Sequence, residues 1–215
     1  TDFARGDAQT VQEAVQTGTH TQVIGLAEGL INTVDGAYGS SRNESTTGFE
    51  VTFTVSNEWF VDLSFSADPL LEAFISQGGG ATADLDVSFT ITRDDSTTLL
   101  NWPPDGNANA ADKGVFSEAI DETTLNTNVA DTTDNGTSVV YDPITAGLCA
   151  AGVNATLCDY AMTSDRFSAG TYTLVMTMGQ AVSLSQQIAV PEPGVLALMG
   201  FGMVGMGFAR RNKHK

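Results

Sequence analysis

The sequence predicts an all-β protein: an antiparallel β-sandwich of jelly-roll or immunoglobulin-like character, followed by one C-terminal transmembrane or sorting helix. Three observations lead there. Apolar and polar residues alternate along several segments, the period of a strand with one buried and one wet face. Clusters of glycine, proline, asparagine and aspartate cut those segments at short intervals. A nearly unbroken apolar run, residues 194–209, then lies between a Pro-Glu-Pro triplet and a basic end.

Taken in chain order, the first twenty residues are open between two readings. Val11 and Val15 fit one helix face, while the Gln and Thr content fits an edge strand. A weak strand pattern covers 21–26. FEVTFTV places Phe49, Val51, Phe53 and Val55 on one face. WFVDLSF does the same with Trp59, Val61, Leu63 and Phe65, so Trp59 is expected in the core. DPLLEAFI is open between a helical turn and a strand started by Pro69. The cleanest alternation is ATADLDVSFTIT, with Ala83, Leu85, Val87, Phe89 and Ile91 inward. A weaker strand covers 97–102, and Trp102 beside a Pro-Pro turn is open between core and a sugar-stacking surface. From 108 to 135 the pattern fades into a polar, irregular stretch. Weak strands follow at 138–141 and 182–190, and TYTLVMTM is a strong one, with Tyr172, Leu174, Met176 and Met178 in phase. Turns are expected at Asn57, Gly78 to Gly80, Asp94 and Asp95, Pro103 to Gly106, Asp134 to Gly136, and Gly170. The expected organisation is a sandwich domain over 1–186, a linker over 187–193, an apolar helix over 194–209 and a basic tail over 210–215.

Charge narrows the function classes. The 215 residues hold 26 Asp and Glu against 9 Lys and Arg, a formal charge of −17. Four of those basic residues, Arg210, Arg211, Lys213 and Lys215, lie after the apolar run. The rest of the chain repels nucleic acid, so no nucleic-acid partner is expected. It suits cations and cationic partners. Cys149 and Cys158 are the two cysteines. In an oxidising compartment they are expected to pair, closing a short loop for about 2–3 kcal/mol.

Catalytic patterns are weak. His20 and His214 are the two histidines, which leaves no convincing Ser-His-Asp, Cys-His or zinc arrangement. There is no phosphate-binding loop or dinucleotide fingerprint. The acids are so numerous that a close carboxylate pair says little about glycoside hydrolysis. The chain is therefore expected not to be an enzyme. One loop offers a cofactor: Asp105, Asn107, Asn109 and Asp112 space oxygen donors as a calcium loop does, although Ala110 and Phe116 stand where an EF-hand needs Gly and Glu.

The apolar run spans about 24 Å as a helix, against a hydrocarbon core of about 30 Å. Snorkelling Arg210 and a thin bilayer narrow the gap. Arg210, Arg211, Lys213 and Lys215 follow the positive-inside pattern, which puts the tail in the cytoplasm and the sandwich on the other side of the membrane. A start at Thr1 without Met agrees with a signal peptide already removed. On a helical wheel Gly194, Gly202, Gly205 and Ala209 fall in one arc of about 80°, a small-residue face for close helix packing.

Pro191-Glu192-Pro193, the apolar run and the Arg-rich end, in that order, resemble the PEP-CTERM sorting signal of Gram-negative bacteria. The phrases LSFSADPLLEAFI, ADLDVSFTITRDD, LLNWPPDG and SAGTYTLVMTMGQAVSLSQQ are similar to a family of exosortase-dependent surface proteins. The resemblance implies processing by exosortase, a membrane protease-transpeptidase, with Pro191, Glu192 and Pro193 as its recognition motif. It also implies export alongside exopolysaccharide. The expected function is a structural surface or matrix protein, anchored in the inner membrane in transit with its domain on the periplasmic side. It would act by self-association, cation bridging or polysaccharide adhesion. Two alternatives are a single-span accessory subunit of a membrane complex and a carbohydrate-binding module.

Overall fold

The computed structural model describes residues 3–15, 18–30, 39–75, 79–108, 112–133, 136–149 and 157–186. They form twelve β-strands: β1 (Phe3–Val15), β2 (Gly18–Leu30), β3 (Gly39–Val55), β4 (Asp62–Ala67), β5 (Leu71–Ala73), β6 (Gly79–Arg93), β7 (Thr98–Trp102), β8 (Val115–Asp121), β9 (Thr127–Asp131), β10 (Val139–Tyr141), β11 (Cys158–Ser164) and β12 (Gly170–Gln186). Every pairing is antiparallel. The all-β class follows directly from the alternation in the sequence.

The larger sheet runs β3-β12-β6, and the far edge of β6 is shared by β9 and β7. β9 pairs with its first half, from Ala81↔Asp131, and β7 with its second, through Phe89↔Trp102 and Ile91↔Leu100. Along β6 the burial alternates strictly, so Ala81, Ala83, Leu85, Val87, Phe89 and Ile91 all point inward. The smaller sheet runs β4-β11-β8. β5 and β10 form a short ladder, and β1–β2 form a long hairpin.

The two main sheets meet through aromatic rings. Phe65 of β4 stacks on Tyr160 of β11 at 4.7 Å and meets Phe89 of β6 and Trp102 of β7 at 5.1 and 5.9 Å. Leu100, Ile91, Met162 and Tyr172 complete the buried layer around them. This is sandwich packing, with inward faces of two sheets interdigitating.

Several details depart from the sequence-based expectation. Trp59 is 62 % exposed, not in the core. Its segment leaves the strand conformation between Ser56 and Val61, so the alternation seen in WFVDLSF does not carry a common face that far back. Trp59 is held by a single antiparallel bridge to Phe167. Trp102, left open before, is fully buried. The stretch expected to be irregular contains β8 and β9, and β11 follows the cysteine loop. The ambiguous first twenty residues include β1, and DPLLEAFI contributes β5. Gly79, Gly80 and Gly170 lie within strands rather than turns.

Candidate functional site

Two features stand out: an acidic cluster between β7 and β8, and an exposed aromatic pair in the loop before β4. The cluster begins with the loop after β7. Gly106 has φ +80°, and a Cβ there would sit 2.9 Å from the Thr124 nitrogen, so this turn needs glycine. The tight turn aims three backbone N–H groups inward. Those of Asp105, Gly106 and Asn107 donate to Asp121 Oδ2 at 3.2, 3.0 and 3.2 Å. Leu125 N–H and Asn126 Nδ2 donate to the Pro104 carbonyl, which ties the loop to the segment between β8 and β9.

The chain returns at Asp112. Gly114 has φ +75° and a Cβ added there would collide with the Leu99 carbonyl oxygen, so the chain can pass β7 here only as glycine. Asn101 N–H donates to the Lys113 carbonyl, and Asp165 N–H to that of Gly114. These bonds hold Asp112 beside the start of β8. A register shift between β8 and β11 leaves Glu118 paired with Met162 and Asp121 with Tyr160, turning both acids toward the interior. The outer face of β8 shows Phe116 and Ile120 instead.

Asp112 and Glu118 are near enough for each to alter the other's titration, while Asp112 Oδ2 and both Glu118 oxygens are buried without a hydrogen-bond partner. Burial, then the charges of Asp112 and Asp121, push the Glu118 carboxyl up to about 7. The Trp102 indole N–H works the other way and favours its ionised form, although it does not reach standard hydrogen-bond geometry. Burial and the Asp105 charge raise Asp112. Burial raises Asp121 as well, opposed by the N–H groups of Gly106 and Asn107.

Of the residues expected to bind calcium, Asp105, Asn107 and Asp112 border this cluster, and Asn109 lies outside the described residues. Asp105 Oδ1 accepts the Asn107 N–H, forming a local turn. Glu118 and Asp121 are the members that sequence reasoning missed. Their signal was present as acids three apart in a segment with no clean alternation, VFSEAID. Among the described residues, no three His, Cys, Asp or Glu side chains gather closely enough to hold a metal by themselves.

The aromatic pair is Trp59 and Phe60, stacked at 5.5 Å with planes 5° apart. Arg166 pairs with Glu58 beside them at 3.5 Å. Cys149 and Cys158 form the expected disulfide, buried at the start of β11.

The described residues thus define an acidic, disulfide-closed all-β domain of sandwich type. The particular signature it carries is C-terminal: residues 189–212 match the PEP-CTERM protein-sorting motif. That motif marks an exported surface protein, sorted by exosortase and carried through a membrane-anchored stage. Pro191, Glu192 and Pro193, the small-residue face of Gly194, Gly202, Gly205 and Ala209, and the basic tail of Arg210, Arg211, Lys213 and Lys215 lie outside the described residues. Among the described residues no helix is long and apolar enough to cross a membrane. No curated protein matches the chain. Among solved structures, that of infectious bursal disease virus Gx strain is 12% identical, covering 95% of this chain and 68% of that one, with TM-score 0.13. The crystal structure of the infectious bursal disease virus VP2 subviral particle is 15% identical, covering 97% and 69%, also with TM-score 0.13. Likeness this slight bears on neither fold nor function.

Proposed function

We propose that the chain is a non-enzymatic structural protein of the cell surface or extracellular matrix of a Gram-negative bacterium. The single observation that carries this reading is the sorting motif over 189–212. In transit the domain stands on the periplasmic side of the inner membrane, with the basic tail in the cytoplasm. Exosortase acts at the Pro191–Pro193 triplet and releases the domain to the surface. There it works by self-association, cation bridging or adhesion to polysaccharide. A formal charge of −17 supports a role among cations and at a wet surface.

The exposed Trp59–Phe60 pair favours polysaccharide as the adhesion target. An aromatic face offers a flat apolar surface to a sugar ring, and Glu58 and Arg166 stand beside it to bond hydroxyls. In this reading Trp59→Ala abolishes retention on the cell's own polysaccharide and leaves the melting temperature unchanged.

Intact-mass measurement of the protein isolated from cells tests the sorting. A mature mass ending near Pro193 is expected, with the product in the surface fraction. A full-length chain held in stoichiometric amount by a membrane complex would instead make it a permanent single-span subunit.

A further inference from the structure

The edges of the two main sheets are not alike. An edge strand offers unpaired N–H and C=O groups to any other strand, and proteins blunt such edges by shortness, bulges, proline or charge. β7 and β9 have five residues each, and β7 runs into Pro103 and Pro104. The Asn101 N–H of β7 is also taken by the Lys113 carbonyl. β8 has register shifts against β11. β4 has six residues and leads into Asp68 and Pro69. β3 pairs with β12 from Gly39↔Gln186 to Val55↔Gly170 without a register shift. Over residues 49–55 its only blunting device is one charge, Glu50. Among the described residues, nothing pairs with the other edge of β3 along this stretch.

The composition of the stretch shows which partner it fits. FEVTFTV is built of β-branched and aromatic residues, which suit strand pairing. Its inward row extends the core to the edge of the sandwich. Phe53 stacks on Tyr172 at 5.7 Å, Phe49 and Val55 pack on the core, and Val51 is still 38 % exposed. Its outward row, Glu50, Thr52 and Thr54, is exposed. The segment is complementary to itself. Laid antiparallel about Thr52, each residue from 49 to 55 finds a mate: Phe49 meets Val55, Val51 meets Phe53, Glu50 meets Thr54, and Thr52 meets Thr52. Apolar side chains then face apolar ones on the core side, and no acid faces an acid. A formal charge of −17 sets two copies against each other, so contact is favoured where charge is sparse.

We propose that residues 49–55 of β3 pair with the same residues of a second copy, joining two sandwiches through one continuous sheet. A two-fold contact of this kind closes on itself, so the product is a dimer and not a fibre. A strand of that length spans about 23 Å, a small contact, so association is reversible. From Thr173, the partner of Thr52, β12 continues to Gln186 for about 43 Å. The two chain exits therefore lie roughly 85 Å apart at opposite ends of the joined sheet, an arrangement that suits domains released into a matrix. The pairing gives a surface to the self-association in the function proposed above, and rests on that reading for its setting alone.

The test uses the full chain in a mild detergent, with mass followed by sedimentation from about 1 μM to about 1 mM. The mass should rise from one chain to two. Thr52→Lys and Thr52→Glu each oppose like charges on the two-fold axis, and each should raise the dimer Kd by about tenfold or more. Mixed in equal amounts, the two variants should pair at least as tightly as the parent, because lysine then faces glutamate. Thr52 is exposed, so both should keep the parent Tm. A parent chain that stays monomeric across the range overturns the proposal, and this measurement does not depend on any variant folding. A dimer unchanged in both Thr52 variants overturns it, as do variants that lose the dimer and do not regain it when mixed. So does a dimer abolished by Gly202→Leu and Gly205→Leu with Thr52 intact, which assigns association to the apolar tail. The intact mass of the protein from cells decides the sorting separately, so either reading can fail alone.

Discussion

Truncating Phe65 is the most direct probe of the sandwich. Its ring touches three other aromatics of the intersheet core, at 4.7 Å to Tyr160, 5.1 Å to Phe89 and 5.9 Å to Trp102. Phe→Ala in a core costs about 3–5 kcal/mol. Phe65 is only partly buried, which places Phe65→Ala near the lower end, about 3 kcal/mol. In a domain of this size that lowers Tm by roughly 6–12 °C. Phe65→Leu keeps most of the volume and loses the ring contacts, so it should cost about 1–1.5 kcal/mol. Urea unfolding followed by tryptophan fluorescence measures both, because Trp102 is buried against these rings and Trp59 is exposed. A double-mutant cycle with Tyr160→Leu should give a coupling of about 1 kcal/mol for the stacked pair. If Phe65→Ala costs less than about 1 kcal/mol with an unchanged m-value, the two sheets do not meet through these rings and the reasoning fails.

Three further outcomes are expected. In calcium-free buffer, stability should fall as pH rises from about 4.5 to about 7. Glu118 is raised to about 7 in the folded chain, so the folded state holds its proton longer than the unfolded one, and the penalty is complete only above that pH. Urea midpoints across this range check the sign, and a stability that rises through the window refutes it. Gly114→Ala should cost about 2 kcal/mol or more, since it combines a left-handed backbone with a collision against the Leu99 carbonyl. Chemical denaturation of this variant measures that cost. Reducing the Cys149–Cys158 bond should cost about 2–3 kcal/mol, read as a Tm difference with and without reductant.

The fold class was legible because β6 and β12 alternate almost without a break. Ala83, Leu85, Val87, Phe89 and Ile91 had to share one face, and Leu174 and Met176 had to face a neighbouring layer. The candidate site was half legible. Asp105, Asn107 and Asp112 announced themselves as oxygen-bearing loop residues. Glu118 and Asp121 did not, because β8 inverts the usual rule: a register shift turns its acids inward and leaves Phe116 and Ile120 outside. Periodicity reads such a strand as irregular. Trp59 was misplaced for a related reason. A two-residue period persists in WFVDLSF across a point where the backbone stops being a strand, and composition alone does not reveal that break. The pairing of Cys149 with Cys158 needed no geometry, since a chain with two cysteines has one way to join them.

β12 lies at the centre of the larger sheet, hydrogen-bonded to β3 on one side and β6 on the other. It ends at Gln186, and the sorting motif begins at residue 189. The ribosome therefore makes the keystone of this domain after every other described strand. In a chain that emerges N-terminus first, β3 and β6 cannot be joined through β12 until that last strand is available. Folding of the domain and delivery of its sorting signal then become nearly the same event in time, and a chain truncated before β12 would lose its architecture along with its address.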